Sequence, residues 1–280
     1  KIGIILLGIR LSLIDLISYG AKGLIVVIPC IVITILLVQI LRKSLKISEK
    51  LSLLIAVGTS ICGATAIVAL APSIKAKKSE ITYAIANITI FGLFAMFLYP
   101  IFAHFLFSQD IVSAGLFLGS SIHETAQVAG SAMIYSDQYE EPNIIAVATV
   151  TKLIRNTLMV IVIPYLAHKS MSVQEKSYKI SAIFPYFVIG FIVFGCIRSL
   201  GDFYFLDNEI HLATWNNLIV VIKKIAEFFL IIAMAAVGFN TSFDNFRELG
   251  IKPFYIGLIA ATTVGISSIL IISIINNISI

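Results

Sequence analysis

Gly58-Thr59-Ser60-Ile61-Cys62-Gly63 and Gly119-Ser120-Ser121-Ile122-His123-Glu124 decide how this chain is read. Each is a short glycine-bearing polar phrase in the middle of an apolar run, Leu51–Ile74 for the first and Ile111–Tyr135 for the second. Backbone that leaves helical geometry at membrane depth needs protein or a watery cavity to satisfy its N–H and C=O groups. Each run therefore reads as two half-helices around a break, and paired breaks point to a central site.

The surrounding composition requires a bilayer. Of 280 residues, 59% are hydrophobic and 12% charged, with a mean hydropathy of +1.02; soluble domains run near ~45–50% and ~25%. Soluble, disordered, collagen-like and nucleic-acid-binding classes lose their basis. A helix crossing the hydrocarbon core needs about 20 mostly apolar residues. Seven spans are expected, at Lys1–Tyr19, Gly23–Leu41, Ile81–Phe107, Ile144–Ala167, Ile180–Ile197, Ala226–Phe243 and Phe254–Ile275. The class is an all-α polytopic membrane protein, read as one membrane domain over 1–280. Lys1 already lies inside an apolar run, so an upstream segment is expected.

Charge sets the orientation, because cytoplasmic loops carry the excess of Lys and Arg. Arg42, Lys43, Lys46 and Lys50 precede the first broken run and Lys75, Lys77 and Lys78 follow it. The second is flanked by Asp110, Asp137, Glu140 and Glu141, with no Lys or Arg in either flank. Two re-entrant hairpins entering from opposite faces are expected; the alternative makes each run a discontinuous span. Lys223 and Lys224 then mark the outer end of a span.

Weak repeats agree with an inverted architecture. Gly58-Thr-Ser-Ile61 recurs as Gly119-Ser-Ser-Ile122, and Gly8-Ile-Arg-Leu-Ser12 as Gly238-Phe-Asn-Thr-Ser242 at a 230-residue offset. In the hairpin topology each matched pair runs in opposite directions, the signature of an inverted-repeat secondary transporter.

A half-helix that starts at a break presents free N–H groups and the positive end of its dipole, which favours an anion. Ser60 and Ser121 are expected to cap the helices that follow, Ser121 through a capping box with Glu124. Gly58, Gly63 and Gly119 permit the turns and a close ligand approach. Lys152 and Arg155 share one helix face midway along Ile144–Ala167, where ionisable groups are expensive and informative. Either they neutralise a transported anion or Arg155 pairs with Glu124. His123 is either a neutral, hydrogen-bonded tip residue or a group that changes charge near neutral pH. The expected anion site is Ser60, Gly63, Ser121, His123, Lys152 and Arg155, with Arg10, Asp15, Glu124 and Asn240 as a polar or coupling network.

Enzyme motifs fail. His123-Glu-Thr-Ala-Gln127 has glutamine where HExxH needs its second histidine, and Cys62 stands where a G-x-S-x-G elbow needs glycine. The three cysteines, Cys30, Cys62 and Cys196, are scattered and form no metal or disulfide pattern. No Walker loop or dinucleotide fingerprint is present. The expectation is a non-enzyme without cofactor or metal.

Leu6-Leu-Gly-Ile-Arg-Leu-Ser-Leu13, Gly58-Thr-Ser-Ile-Cys-Gly-Ala-Thr-Ala-Ile67, Phe91-Gly-Leu-Phe-Ala95, Leu98-Tyr-Pro100, Ser121-Ile-His-Glu-Thr-Ala-Gln-Val128, Lys152-Leu-Ile-Arg155 and Ala233-Met-Ala-Ala-Val-Gly238 together resemble the YeiH-like family of bacterial inner-membrane proteins. The phrases run nearly the whole length, in family order. Thr65 stands where the family often has Ser, and Asn240 where Arg is common. The resemblance implies a secondary transporter, classed provisionally as a sulfate exporter. A small inorganic or organic anion is the expected partner, with the lipid bilayer around the chain. Proton or sodium coupling and homo-oligomerisation are compatible with the resemblance, nucleic acid is not. The competing functions are a cation/proton antiporter using Asp15, His123 and Glu124, and a membrane scaffold without turnover.

Overall fold

The described helices expose large apolar side chains and bury a set of polar and charged ones within an apolar core, a surface unlike that of a soluble bundle. In the computed structural model, which describes residues 2–10, 13–170, 187–205, 209–239 and 250–278, Phe94, Phe97, Ile101 and Phe105 stand on the outer face of one long helix. Asn87, Gln127, Thr151, Lys152 and Arg155 lie inside. Lipid is the solvent that this outer surface fits.

In chain order the described elements are α1 (Ile2–Leu7), a 3-10 turn (Gly8–Arg10), α2 (Leu13–Leu45), α3 (Glu49–Val57), a π-helical turn (Gly58–Cys62), α4 (Ala64–Leu70) and α5 (Lys78–Phe107). There follow α6 (Ile111–Ser121), α7 (Thr125–Tyr139), α8 (Asn143–Thr157), α9 (Met159–Ser170), α10 (Phe187–Tyr204), α11 (Glu209–Phe239) and α12 (Lys252–Ile278). Among the described residues, four stretches are long and apolar enough to cross a membrane: Ile17–Leu45, Lys78–Phe107, Asn143–His168 and Lys252–Asn277. They cover four of the seven expected spans.

Of the other three, one is overturned and two run into residues outside those described. Lys1–Tyr19 is not a single crossing: α1 is 6 residues long and ends in the 3-10 turn, and α2 then runs unbroken through Gly20-Ala-Lys-Gly23. Gly23 serves packing rather than a loop. A Cβ at Gly23 would lie 3.2 Å from Ile154 Cδ1, so its absence lets α2 lie close against α8, whereas one at Gly20 would make ordinary contact at 3.6 Å. The stretch read as Ile180–Ile197 holds α10 from Phe187 onward, with 180–186 outside the described residues. The stretch read as Ala226–Phe243 belongs to a longer helix, α11, which begins at Glu209; 240–243 lie outside the described residues. Lys223 and Lys224 therefore sit within α11 rather than at its end.

Both ends of each broken run meet. Ser48 caps α3, accepting from Leu51 N–H at 3.4 Å, and its hydroxyl donates to Glu80 Oε1 at 2.5 Å. Lys50 Nζ donates to the Lys75 carbonyl at 2.7 Å. The start of α3, the end of α4 and the start of α5 are thereby tied together. At the far end of α5, His104 stacks on Tyr139 with ring centroids 3.7 Å apart, beside the Asp110 cap that opens α6 through Val112 N–H at 3.0 Å. The 30-residue α5 spans about 45 Å. α3–α4 and α6–α7 are thus hairpins with their bases at opposite ends of α5.

Around them α2, α5, α8 and α12 form the main bundle. A second group, α1, α10 and α11, packs mostly on itself and meets the bundle chiefly where α11 lies against α7.

Candidate functional site

The two breaks come together against α8, the most enclosed of the crossing helices: 67% of its stretch is buried, against 33–39% for the others. Gly115 and Gly119 make this approach. A Cβ at Gly119 would lie 2.6 Å from Thr151 Cβ, and one at Gly115 2.6 Å from Val147 Cβ. Gly119 is therefore helical and allows contact between helices, not the turn expected of it. Gly58 is likewise helical, at φ −59°.

A helix that stops in the membrane leaves its last carbonyls without donors and carries partial negative charge at that end. Here Lys152 and Arg155 supply the donors. Lys152 Nζ donates to Ile61 O and Ile122 O, each at 2.9 Å, and to His123 O. All three ammonium protons are used. Arg155 donates through Nε to Ser60 O at 2.7 Å, through Nη1 to Ser120 O at 2.7 Å and Ile122 O at 3.0 Å, and through Nη2 to Thr59 O. Both side chains are at most 1% exposed. One helical turn of α8 thus staples the first break to the second.

Glu124 makes the reverse connection. It occupies the residue before α7, in extended backbone at φ −103°, ψ 147°, and its Oε1 accepts the Ala64 N–H at the start of α4 at 3.3 Å. Gly63 takes φ +67°, and the Glu124 side chain fills the space a Cβ would need. Among the described residues no ion pair joins Glu124 to Lys152 or Arg155 within 4.0 Å. The expected Glu124–Arg155 pair is not formed, because Arg155 is spent on carbonyls and Glu124 on an amide.

Neither expected serine cap is present. Ser60 lies inside the π-helical turn, and Gly63 precedes α4 with no side-chain cap of its own. Ser121 is the last residue of α6, its hydroxyl donating back to Phe117 O at 2.5 Å. Residues 122–124, with Ile122 and Glu124 in extended backbone, separate it from α7, moving the cap three positions on. Gln127 Oε1 accepts the Glu124 N–H at 3.3 Å, and its Nε2 donates to Thr89 O at 3.3 Å. Gly92 makes room for this amide. The Glu124-x-x-Gln127 spacing carried that signal.

What remains is a set of buried polar atoms with no partner: Thr59 Oγ1, Ser60 Oγ, both ring nitrogens of His123 and Asn156 Oδ1. All belong to the breaks or the adjoining turn of α8. Native proteins rarely leave such groups bare, and they mark a place where a small polar ligand or water completes the valence. Asn156 Nδ2 donates to Thr125 Oγ1 at 3.0 Å, tying α8 to α7.

Of the sequence-predicted site, Ser60, Gly63, Ser121, His123, Glu124, Lys152 and Arg155 are brought together. Arg10 closes the 3-10 turn; its side chain, that of Asp15, and Asn240 lie outside the described residues. Among the described residues no group of three His, Cys, Asp or Glu could hold a metal ion.

Comparison with known proteins bears on this arrangement. Residues 1–257 match the family model described as Conserved hypothetical protein 698. A UPF0324 membrane protein of Bacillus anthracis is 34% identical over 273 residues, covering 95% of this chain and 74% of the relative. Another from Fusobacterium nucleatum is 31% identical over 280 residues, covering 95% and 80%. No solved structure matches. The YeiH-like resemblance and this family coincide, and the helices match those of a multi-pass protein in a bacterial membrane. The chain belongs to the UPF0324 family of membrane proteins.

Proposed function

We propose that this protein is a secondary transporter for a small anion, of the sulfate or organosulfonate type, held where the two breaks cross. The observation that carries the reading is the pair of fully buried cations, Lys152 and Arg155, without a salt-bridged carboxylate. Carbonyls satisfy their hydrogens but bring no net charge, and buried charge is costly until it is countered. An oxyanion would counter it, and Ser60 Oγ and His123 have free valences to meet it.

In this conformation the cations clamp both hairpins and the site is closed. An anion arriving from one face takes over hydrogen bonds from the carbonyls of the hairpin that opens there. The α1–α10–α11 group is the body against which the hairpins shift. The ligand is moved, not transformed, so no cofactor takes part. Glu124 and His123 are the groups at the crossing able to carry a proton in exchange.

The test is exchange of labelled sulfate or methanesulfonate in proteoliposomes. Saturable exchange, reduced in Ser60→Ala and His123→Ala proteins of unchanged thermal stability, is the expected result. Sodium- or potassium-dependent proton flux indifferent to anions would instead assign a cation/proton antiporter.

A further inference from the structure

A cavity that shares no residue with the crossing lies at the basic end of the molecule. It has a volume of about 710 Å³ and is enclosed by the end of α2, the start of α3 and α9. Its inner wall is apolar, with Leu53 and Leu166, and continues outward along Leu36 and Ile40, which are 58% and 67% exposed on the lipid-facing side of α2. Its rim is polar and rich in donors. Arg42 is held in place by Gln39 Oε1 at 2.8 Å and Glu49 at 3.3 Å. Among the described residues, Gln39 Nε2 is buried with no acceptor and Lys43 is exposed with no acidic partner.

The charge around it is one-sided. Residues 42–80 carry seven Lys and Arg against Glu49 and Glu80. Both acids are engaged, Glu49 with Arg42 and Glu80 with Ser48 and the Lys77 N–H. Lys50 bonded to Lys75 O brings the two basic segments together. A cleft with an apolar groove running into the bilayer and a mouth where Arg42, Lys43 and Gln39 Nε2 outnumber the one carboxylate, Glu49, which is paired with Arg42, fits one chemistry, an acyl chain joined to a phosphate. Basic pockets at the cytoplasmic edge attract anionic headgroups.

We infer that this cleft binds an anionic phospholipid of the cytoplasmic leaflet, with its phosphate between Arg42, Lys43 and Gln39 Nε2 and an acyl chain along Leu36 and Ile40. The site is separate from the crossing and does not depend on what the crossing carries.

The experiment is native mass spectrometry of the purified full chain in detergent, supplied with phosphatidylglycerol or phosphatidylcholine, beside thermal melting with inorganic phosphate. Phosphatidylglycerol should be retained preferentially. Lys43→Gln should weaken its binding about fivefold, the worth of one interfacial cation, while leaving phosphatidylcholine binding and the lipid-free melting temperature unchanged. Leu36→Trp, which fills the groove, should lower retention of both lipids. Equal retention of the two lipids, or phosphatidylglycerol binding indifferent to Lys43→Gln, overturns the proposal. Inorganic phosphate that displaces the lipid and stabilises the protein equally would overturn it too, by assigning a free-anion site.

Discussion

Glu124 of the second break accepts the Ala64 N–H of the first at 3.3 Å, and its side chain occupies the volume that any residue but glycine at position 63 would need. The two hairpins are therefore fitted to one another at a single point. Gly63→Ala should be destabilising for two separable reasons, a φ of +67° costing about 1–2 kcal/mol and the collision with Glu124. Melting of Gly63→Ala, Glu124→Ala and the double variant should show non-additivity, the double losing less than the sum of the singles. Strict additivity would mean that the side chains do not meet.

Arg155 should resist conservative exchange. Its guanidinium serves Thr59, Ser60, Ser120 and Ile122 carbonyls from two hairpins at once, a fork that a lysine ammonium cannot reproduce. Arg155→Met should cost about 3 kcal/mol or more, since several buried acceptors lose a charged donor. Arg155→Lys should recover little of it. Detergent-solubilised melting curves check both, and a native-like Arg155→Lys protein would contradict the staple.

Ser60 should behave in the opposite way. Its hydroxyl has no partner, so Ser60→Ala removes no native hydrogen bond and should leave stability within about 0.5 kcal/mol. If the hydroxyl meets the anion during transport, exchange should fall about tenfold, the equivalent of ~1.4 kcal/mol. Unchanged exchange in a folded Ser60→Ala protein would remove this residue from the site.

Helix proximity gives a ranked prediction. Gly119→Ala places a methyl 2.6 Å from Thr151 Cβ, whereas Gly130→Ala meets the flexible Met96 Sδ at 3.0 Å. The first should lower the melting temperature markedly and the second little, because a branched side chain on a packed helix cannot move aside as a thioether can. Equal effects would show that α6 and α8 are less closely apposed.

The hairpin bases can be checked from outside. With Cys30, Cys62 and Cys196 replaced, single cysteines at Lys46 and Ser79 should react with an impermeant maleimide from one face only. Those at Gln109 and Glu140 should react from the other. Labelling of Lys46 and Ser79 from opposite faces would restore discontinuous spans.

Much of this was legible in the residues. The bilayer class, the two breaks, their insertion from opposite faces and the cluster of Ser60, His123, Glu124, Lys152 and Arg155 follow from hydropathy, charge asymmetry and the cost of polar groups in an apolar run. The caps and the first spans were misread. Serine before an apolar run is a good cap signal, yet at these breaks the chain turns through a π-helical segment in one case and extended residues in the other, and neither serine faces the next helix. Residues 20–22 fell between two expected spans because Lys22 interrupts the apolar run, yet α2 continues through them.

Hydrophobicity is a property of each residue and its near neighbours, so sequence alone determined that this chain is helical, membrane-embedded and twice interrupted. Which atoms answer the groups exposed by those interruptions depends on segments far apart in the chain. Only the tertiary structure decided that Lys152 and Arg155 spend their hydrogens on the carbonyl ends of half-helices, that Glu124 reaches across to the start of α4 as well as opening α7, and that Ser60 and His123 are left with bonding capacity unused.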